Sequence, residues 1–185
     1  MIAFCPACGA ACERQVPTGD DHSRAVCTGC ERVHYENPKV VVGTVPVYEG
    51  RVLLCRRAIE PRRGYWTLPA GFLEIGETTR EGAQREAREE AGVSLEVGPL
   101  LAVYELIHVQ QVMLVYRAVL PSAELDPGVE SLEARLFAPD EIPWDELAFP
   151  TVKWALRYHH QVGDAETYPV HRNPSDERLP PRDQA

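Results

Sequence analysis

One stretch narrows the folding options of this chain more than any other: Gly71 to Val93, GFLEIGETTREGAQREAREEAGV. It reads as a glycine-bearing loop that enters a helix. Thr78 followed by Glu81 has the spacing of a capping box, Ala83, Ala87 and Ala91 form an apolar stripe, and Gly92 stands where a left-handed residue stops a helix. The helix is therefore expected from about Thr78 to Ala91. On it Glu86, Glu89 and Glu90 stand in an i, i+3, i+4 relation, so at roughly 100° per residue they fall within about 100° of one another on one face. Three like charges there repel and cost stability unless something positive joins them, and hard cations such as Mg²⁺ or Mn²⁺ prefer carboxylate oxygens. Arg85 is spaced to pair with Glu81 and Glu89, and Gly82, one turn before Glu86, leaves room for a loop or ligand. A solvated acidic helix is the ordinary meaning of three such glutamates, and only the wider pattern decides against it.

In that pattern Gly71 is followed after five residues by Glu77, and after seven more by Arg85-Glu86 and the small apolar Ala87; Glu89-Glu90 and Gly92-Val93 complete it. Every fixed position of the Nudix box is matched, and the chain resembles the Nudix hydrolases, with Ala87 at the small end of what the aliphatic site takes. The resemblance implies Mg²⁺- or Mn²⁺-dependent hydrolysis of a nucleoside diphosphate linked to another group. It also implies an α+β fold, an α/β/α sandwich around a mixed sheet. Glu86, Glu89 and Glu90 are the expected ligands of the catalytic cation, with Glu77 and Arg85 supporting and orienting them. A backbone carbonyl of Ala70 or Gly71 and one further glutamate, Glu130 or Glu133, are added by the same resemblance. Glu86, Glu89, Glu90 or that further glutamate could take the proton of the attacking water, and the sequence does not choose among them.

A second motif lies upstream. Cys5-Pro-Ala-Cys8 and Cys27-Thr-Gly-Cys30 are two Cys-x₂-Cys knuckles separated by 18 residues, which supplies four thiolates for tetrahedral Zn²⁺. The segment has too few large apolar residues to close a core, so the metal would supply much of its folding energy. Four thiolates leave no open position, which makes this zinc structural. Cys12 and His34 have poorer spacing and are read as a loop thiol and a packed residue. A small zinc ribbon is thus expected over residues 1–37, ahead of a Nudix domain over 38–162.

In that domain strands are expected at Val40–Tyr48 and Val52–Cys55, joined by a Glu49-Gly50 turn, then at Ser94–Ile107, Gln111–Leu120 and Ala134–Ala138. Cys55 belongs to the core. Pro150–Tyr158 has the proline-first, apolar spacing of a closing helix. Residues 163–185 are rich in proline and charge, and a loosely held tail is expected.

The formal charge of −9 over 185 residues argues against binding nucleic acid by neutralising phosphates. No run of ~18 apolar residues and no signal peptide is present, so a cytoplasmic protein with no membrane partner is the expectation. Outside the box, the loop RRAIEPRRG carries four arginines; Arg56 and Arg57 are candidates to draw in a diphosphate, and Tyr65, Trp66 and Tyr104 to stack on a base or flavin.

The order of ribbon, Asn-Pro-Lys39, box and Leu-Phe-Ala-Pro-Asp-Glu-Ile-Pro143 is similar to that of zinc-ribbon Nudix proteins that include plant FAD diphosphatase and ADP-ribose diphosphatase. The resemblance therefore points to a small nucleotide diphosphate, FAD first and ADP-ribose second, and to an assembly that is often a homodimer. NADH diphosphatases also join a ribbon to a box, but their Ser-Gln-Pro-Trp-Pro-Phe-Pro signature is missing after Val93. Cleaning of the nucleotide pool or decapping of mRNA would differ only in substrate. In another class altogether, the box could serve a non-catalytic nucleotide sensor whose ribbon binds a partner; the intact glutamate set counts against that.

Overall fold

The computed structural model describes residues 2–175. The chain separates into two compact units at the Pro38–Lys39 junction.

The first unit is a three-stranded antiparallel sheet of β1 (Cys12–Gln15), β2 (Arg24–Cys27) and β3 (Val33–His34), in that order. Among the described residues its buried apolar ones are only Cys5, Ala25, Val26 and Cys27, while Phe4, Val16 and Tyr35 stand in solvent. So little apolar area cannot offset the chain entropy of ordering the unit, and the cysteine cluster must supply the remainder.

The second unit is built on a mixed sheet. β4 (Lys39–Tyr48) and β5 (Arg51–Arg57) form a hairpin through Glu49 and Gly50, both at positive φ as a two-residue turn of the right twist requires. β6 (Trp66–Thr67) and β7 (Ala70–Phe72) are short strands pairing with β5 and β4, and they lead into α1 (Thr79–Ala91). β8 (Glu96–Leu106), β9 (Gln111–Val119) and β10 (Ser131–Phe137) complete the sheet, in the order β10-β5-β4-β9-β8, and α2 (Pro150–Val162) follows. Among these strands β4 and β9 alone run parallel, across nine residue pairs from Lys39↔Gln111 to Val47↔Val119.

The two faces of the sheet carry different cores. Along β5, Leu53 and Cys55 pack with Ala87 and Ala91 of α1, whereas Val52 and Leu54 turn to the other face, where Trp154, Ala155 and Tyr158 of α2 lie. This alternation, two residues per period, is what puts one helix on each face and yields the α/β/α sandwich. Among the described residues no helix is long and apolar enough to cross a membrane.

Two expectations need adjustment. The closing helix runs four residues beyond Tyr158, through His159, His160 and Gln161 to Val162. The loosely held tail is also corrected for residues 163–175. His171 forms a parallel bridge to Ala102, Asn173 bonds the backbone of Glu105 both ways at 2.8 and 2.9 Å, and Arg117 holds the carbonyls of Gly163 and Ala165. His171 further stacks on Tyr158, with ring centroids 4.4 Å apart. Low apolar content did not prevent docking because most of these contacts are to backbone groups of an otherwise open strand edge. The rest of the expected tail, 176–185, lies outside the described residues.

Candidate active site

The geometry of the site starts with the two ends of α1. Thr78 Oγ1 accepts from Glu81 N at 3.3 Å while the Glu81 carboxylate accepts from Thr78 N at 2.7 Å, a complete capping box, and Gly92 closes the helix at φ 69°. Glu81 is thereby used up. The expected Arg85–Glu81 pair does not form, because the Glu81 side chain points back along the chain to the cap.

Arg85 instead gives all five of its N–H donors to other acceptors. Nε and Nη2 hold the two oxygens of Glu77 at 3.1 and 2.7 Å, Nη2 also reaches the Phe72 carbonyl at 2.8 Å, and Nη1 is shared by Glu86 at 2.6 Å and Glu89 at 3.0 Å. A guanidinium is planar and forked, so this set fixes three carboxylates in relation to one another. Glu77 takes a further bond from Glu74 N, and the Arg85 pair holds its carboxyl below the usual range.

Backbone clearance matters at two glycines. A Cβ on Gly71 would overlap the Glu86 carboxylate, and one on Gly82 would stand 2.7 Å from Glu77 Oε1. Both positions are bare so that a carboxylate can lie against main chain.

Glu86 and Glu90 are buried, at 9% and 7% exposure, whereas the Glu89 side chain is open to solvent. Burial, reinforced by the charge of Glu86, pushes Glu90 up to about 8 despite a 3.3 Å bond from Ala70 N. Burial also raises Glu86, against the opposing pull of Arg85. Two buried carboxylates that resist ionisation side by side form a site short of positive charge.

These groups line a cleft of about 1040 Å³. Of the residues singled out from sequence, Ala70, Gly71, Arg85, Glu86, Glu89, Glu90, Glu130 and Arg57 line it, and Glu77 stands behind Arg85. Of the two further glutamates, Glu130 is at the cleft. Glu133 pairs in register with Arg56 on the neighbouring strand, 3.9 Å from its guanidinium, and is not part of the lining.

Four substrate candidates are not brought there. Trp66 is buried edge-on against Phe137, and Tyr104 is fully buried with its hydroxyl on His171 Nδ1 at 3.0 Å, so neither offers a face to a ligand. Arg56 is tied to the Gly64 carbonyl and lies over Trp66, and Tyr65 carries the guanidinium of Arg62. Sequence reasoning missed Phe72, His108, Phe149 and Thr151, which also line the cleft. The proline-led helix start at Pro150 was visible, but nothing local says that it faces the box.

In the first unit the Sγ atoms of Cys5, Cys8, Cys27 and Cys30 all lie within 4.8 Å of one another, with Cys5–Cys30 at 3.7 Å and Cys8–Cys27 at 3.4 Å. Zn–S bonds of about 2.3 Å in a tetrahedron put sulfurs about 3.8 Å apart, so the donor set fits Zn²⁺. The backbone N–H groups of Cys30 and Gly29 reach Cys27 Sγ at 3.3 Å and favour its thiolate. Cys12 and His34 are outside this cluster.

Comparison with known proteins agrees with this architecture. The family described as NUDIX domain matches residues 37–158, and the one described as Nudix N-terminal, a zinc ribbon, matches residues 3–36. The chain belongs to the Nudix family, as a diphosphate hydrolase preceded by a structural zinc ribbon. A crystal structure of a NUDIX hydrolase from Nitrosomonas europaea superposes with a TM-score of 0.87 at 45% identity, covering 91% of this chain and 96% of that one. An ADP-ribose pyrophosphatase of Methanocaldococcus jannaschii is 33% identical over 62% of this chain and 69% of its own length. The NAD-capped RNA hydrolase NudC of Photobacterium profundum is 26% identical over 74% of this chain, which spans about half (49%) of that protein.

Proposed function

We propose that the chain hydrolyses the diphosphate bond of an ADP-linked nucleotide, with ADP-ribose, giving AMP and ribose 5-phosphate, ahead of FAD, giving FMN and AMP. One observation carries the site assignment: Glu86 and Glu90, two adjacent buried carboxylates, face one cleft with Glu89 and Glu130, and the Arg85 guanidinium beside them is already spent on Glu77, Glu86 and Glu89. Oxygen donors in that number fit Mg²⁺ or Mn²⁺, and the raised affinity of Glu90 for a proton marks a place where a cation would be welcome. When bound, the metal neutralises phosphate oxygens and lowers the pKa of water.

The chain's own residues do the rest. Glu86 and Glu90 would hold the cation from the helix, with a backbone carbonyl of Ala70 or Gly71 and the carboxylate of Glu130 as further oxygen donors. Glu89, open to solvent but held by Arg85, takes the proton of the attacking water and can pass it on. Arg85 and Glu77 keep Glu86 and Glu89 in one arrangement. Arg57 supplies positive charge to the substrate phosphates.

The preference for ADP-ribose over FAD draws on what the Methanocaldococcus relative is called. An NADH-type activity has the NudC likeness behind it, but it lacks the signature noted above, and the acidic charge disfavours a capped RNA.

The test is a Mg²⁺-dependent panel of ADP-ribose, FAD, NADH, NAD⁺, CoA, diadenosine polyphosphates and nucleoside triphosphates, ranked by kcat/KM. ADP-ribose is expected to lead, with no turnover when the divalent ion is omitted. Glu86→Gln and Glu89→Gln should each lower kcat by ~10²-fold or more. Triphosphates leading the ranking would overturn the substrate class, and wild-type rates in both variants would overturn the carboxylate roles.

A further inference from the structure

The wall of the cleft opposite the acidic helix is made by the first turn of α2. Phe149 is its N-cap and offers no side-chain cap bond, Pro150 at the first position has no N–H, and Phe149 to Val152 all line the cleft. The next residue after Pro150, Thr151, is 4% exposed, and among the described residues neither its hydroxyl nor its backbone N–H has a hydrogen-bond partner. Thr151 is packed away except where it lines the cleft, and a hydroxyl there without a protein partner is free to bond a ligand. Arg57 converges on the same place. Its guanidinium carbon is 5.2 Å from the centre of the Phe149 ring, its Nε is fixed on the Pro61 carbonyl at 2.8 Å, and it lines the cleft. A helix start, a preset arginine and two idle donors on one residue together favour an anion.

The cleft is therefore divided by charge. One wall carries Glu86, Glu89 and Glu90; the other carries a helix start with Arg57 and Thr151, and a single carboxylate, Glu130, beside Arg57. A diphosphate has two phosphorus centres, and only one of them can be attacked in a single turnover. We infer that Thr151 and the first turn of α2, with Arg57, seat the phosphoryl group that is not attacked, holding it by its non-bridging oxygens. This rests on the diphosphatase reading above and adds the place of the second phosphate. Thr151 is thus a binding and positioning residue, and its contribution is the same in ground and transition states. It acts on any diphosphate substrate, whatever group lies beyond.

The test uses the full zinc-loaded chain. Thr151→Val keeps shape and removes the hydroxyl, so KM for ADP-ribose should rise about 10-fold or more while kcat stays within about twofold, and Thr151→Ser should restore KM. The inhibition constant of inorganic diphosphate should rise by the same factor, with the melting temperature of Thr151→Val within about 2 °C of wild type. A folded Thr151→Val with unmoved KM and inhibition constant overturns the inference, as does a raised KM that serine fails to rescue. Should wild type hydrolyse none of the nucleotides, the diphosphatase reading fails, and calorimetric titration of inorganic diphosphate with Mg²⁺ decides alone. Weaker binding by Thr151→Val than by wild type then supports the seat, and equal binding removes it.

Discussion

Replacing Glu90 by glutamine should destroy activity and stabilise the metal-free protein, in a way that depends on pH. An ordinary glutamic acid titrates near 4.5, and burial raises Glu90 to about 8 in the folded state. A carboxyl with a raised folded value costs nothing below its unfolded pKa and progressively more as pH rises toward the folded one. At ~1.36 kcal/mol per pH unit, the cost is about 1 kcal/mol at pH 5, about 3 at pH 7 and on the order of 5 by pH 9. Glutamine never ionises, although it buries an amide that loses ~1–3 kcal/mol if its donors stay unpaired. That loss does not depend on pH, so the quantity to measure is the change in the stability difference between pH 5 and pH 9, on the order of 4 kcal/mol in favour of Glu90→Gln. Urea unfolding followed by tryptophan fluorescence is suited to this, because Trp66, Trp144 and Trp154 all lie in the larger unit. Mg²⁺ and Mn²⁺ are omitted, and no chelator is added, so that zinc stays in the ribbon. Adding Mg²⁺ should then stabilise wild type more than the variant. A stability difference that stays flat from pH 5 to pH 9 would refute the reasoning.

Arg85→Lys keeps the charge but cannot serve five acceptors, so at least two bonds to carboxylates or carbonyl are lost; we expect about 2–4 kcal/mol less stability by denaturant unfolding and a lower kcat. Gly71→Ala forces the Glu86 carboxylate away from the backbone, and should weaken Mg²⁺ activation at least tenfold while leaving the melting temperature within a few degrees. For the ribbon, metal analysis should give about one zinc per chain and none after Cys27→Ser, with the Trp fluorescence of the larger unit serving as a control for its fold.

The box could be read from sequence because its determinants are local. Thr78, Glu81 and Gly92 fix the helix ends within a few residues, and helical periodicity alone puts Glu86, Glu89 and Glu90 on one face. The ribbon was legible for a similar reason, since cysteine spacing carries the geometry. What failed depends on partners far away in the chain. Trp66 and Tyr104 are aromatic residues beside a motif, but the strand alternation that turns them inward is set by pairing with β5 and β9. The choice between Glu130 and Glu133 needed the register of β10 against β5, which turns Glu133 to Arg56. Arg57, Phe149 and Thr151 meet only because the sheet brings the start of α2 back over β5, and no short-range signal encodes that return. The adjustment at Arg85 was smaller. Spacing permits a bond to Glu81, but the cap claims that carboxylate first.

The docked segment at His171 and Asn173 has a consequence for how copies of this chain can meet. The outer edge of β8 would otherwise present free N–H and C=O groups from Leu101 to Glu105, a ready template for a foreign strand. His171 takes the groups of Leu101 and Val103, and the Asn173 amide takes both groups of Glu105. The chain thus blocks one side of its own sheet against self-pairing. Over Leu101 to Glu105 a second copy cannot add a strand to this edge, and a chain cut before His171 would reopen that border to aggregation.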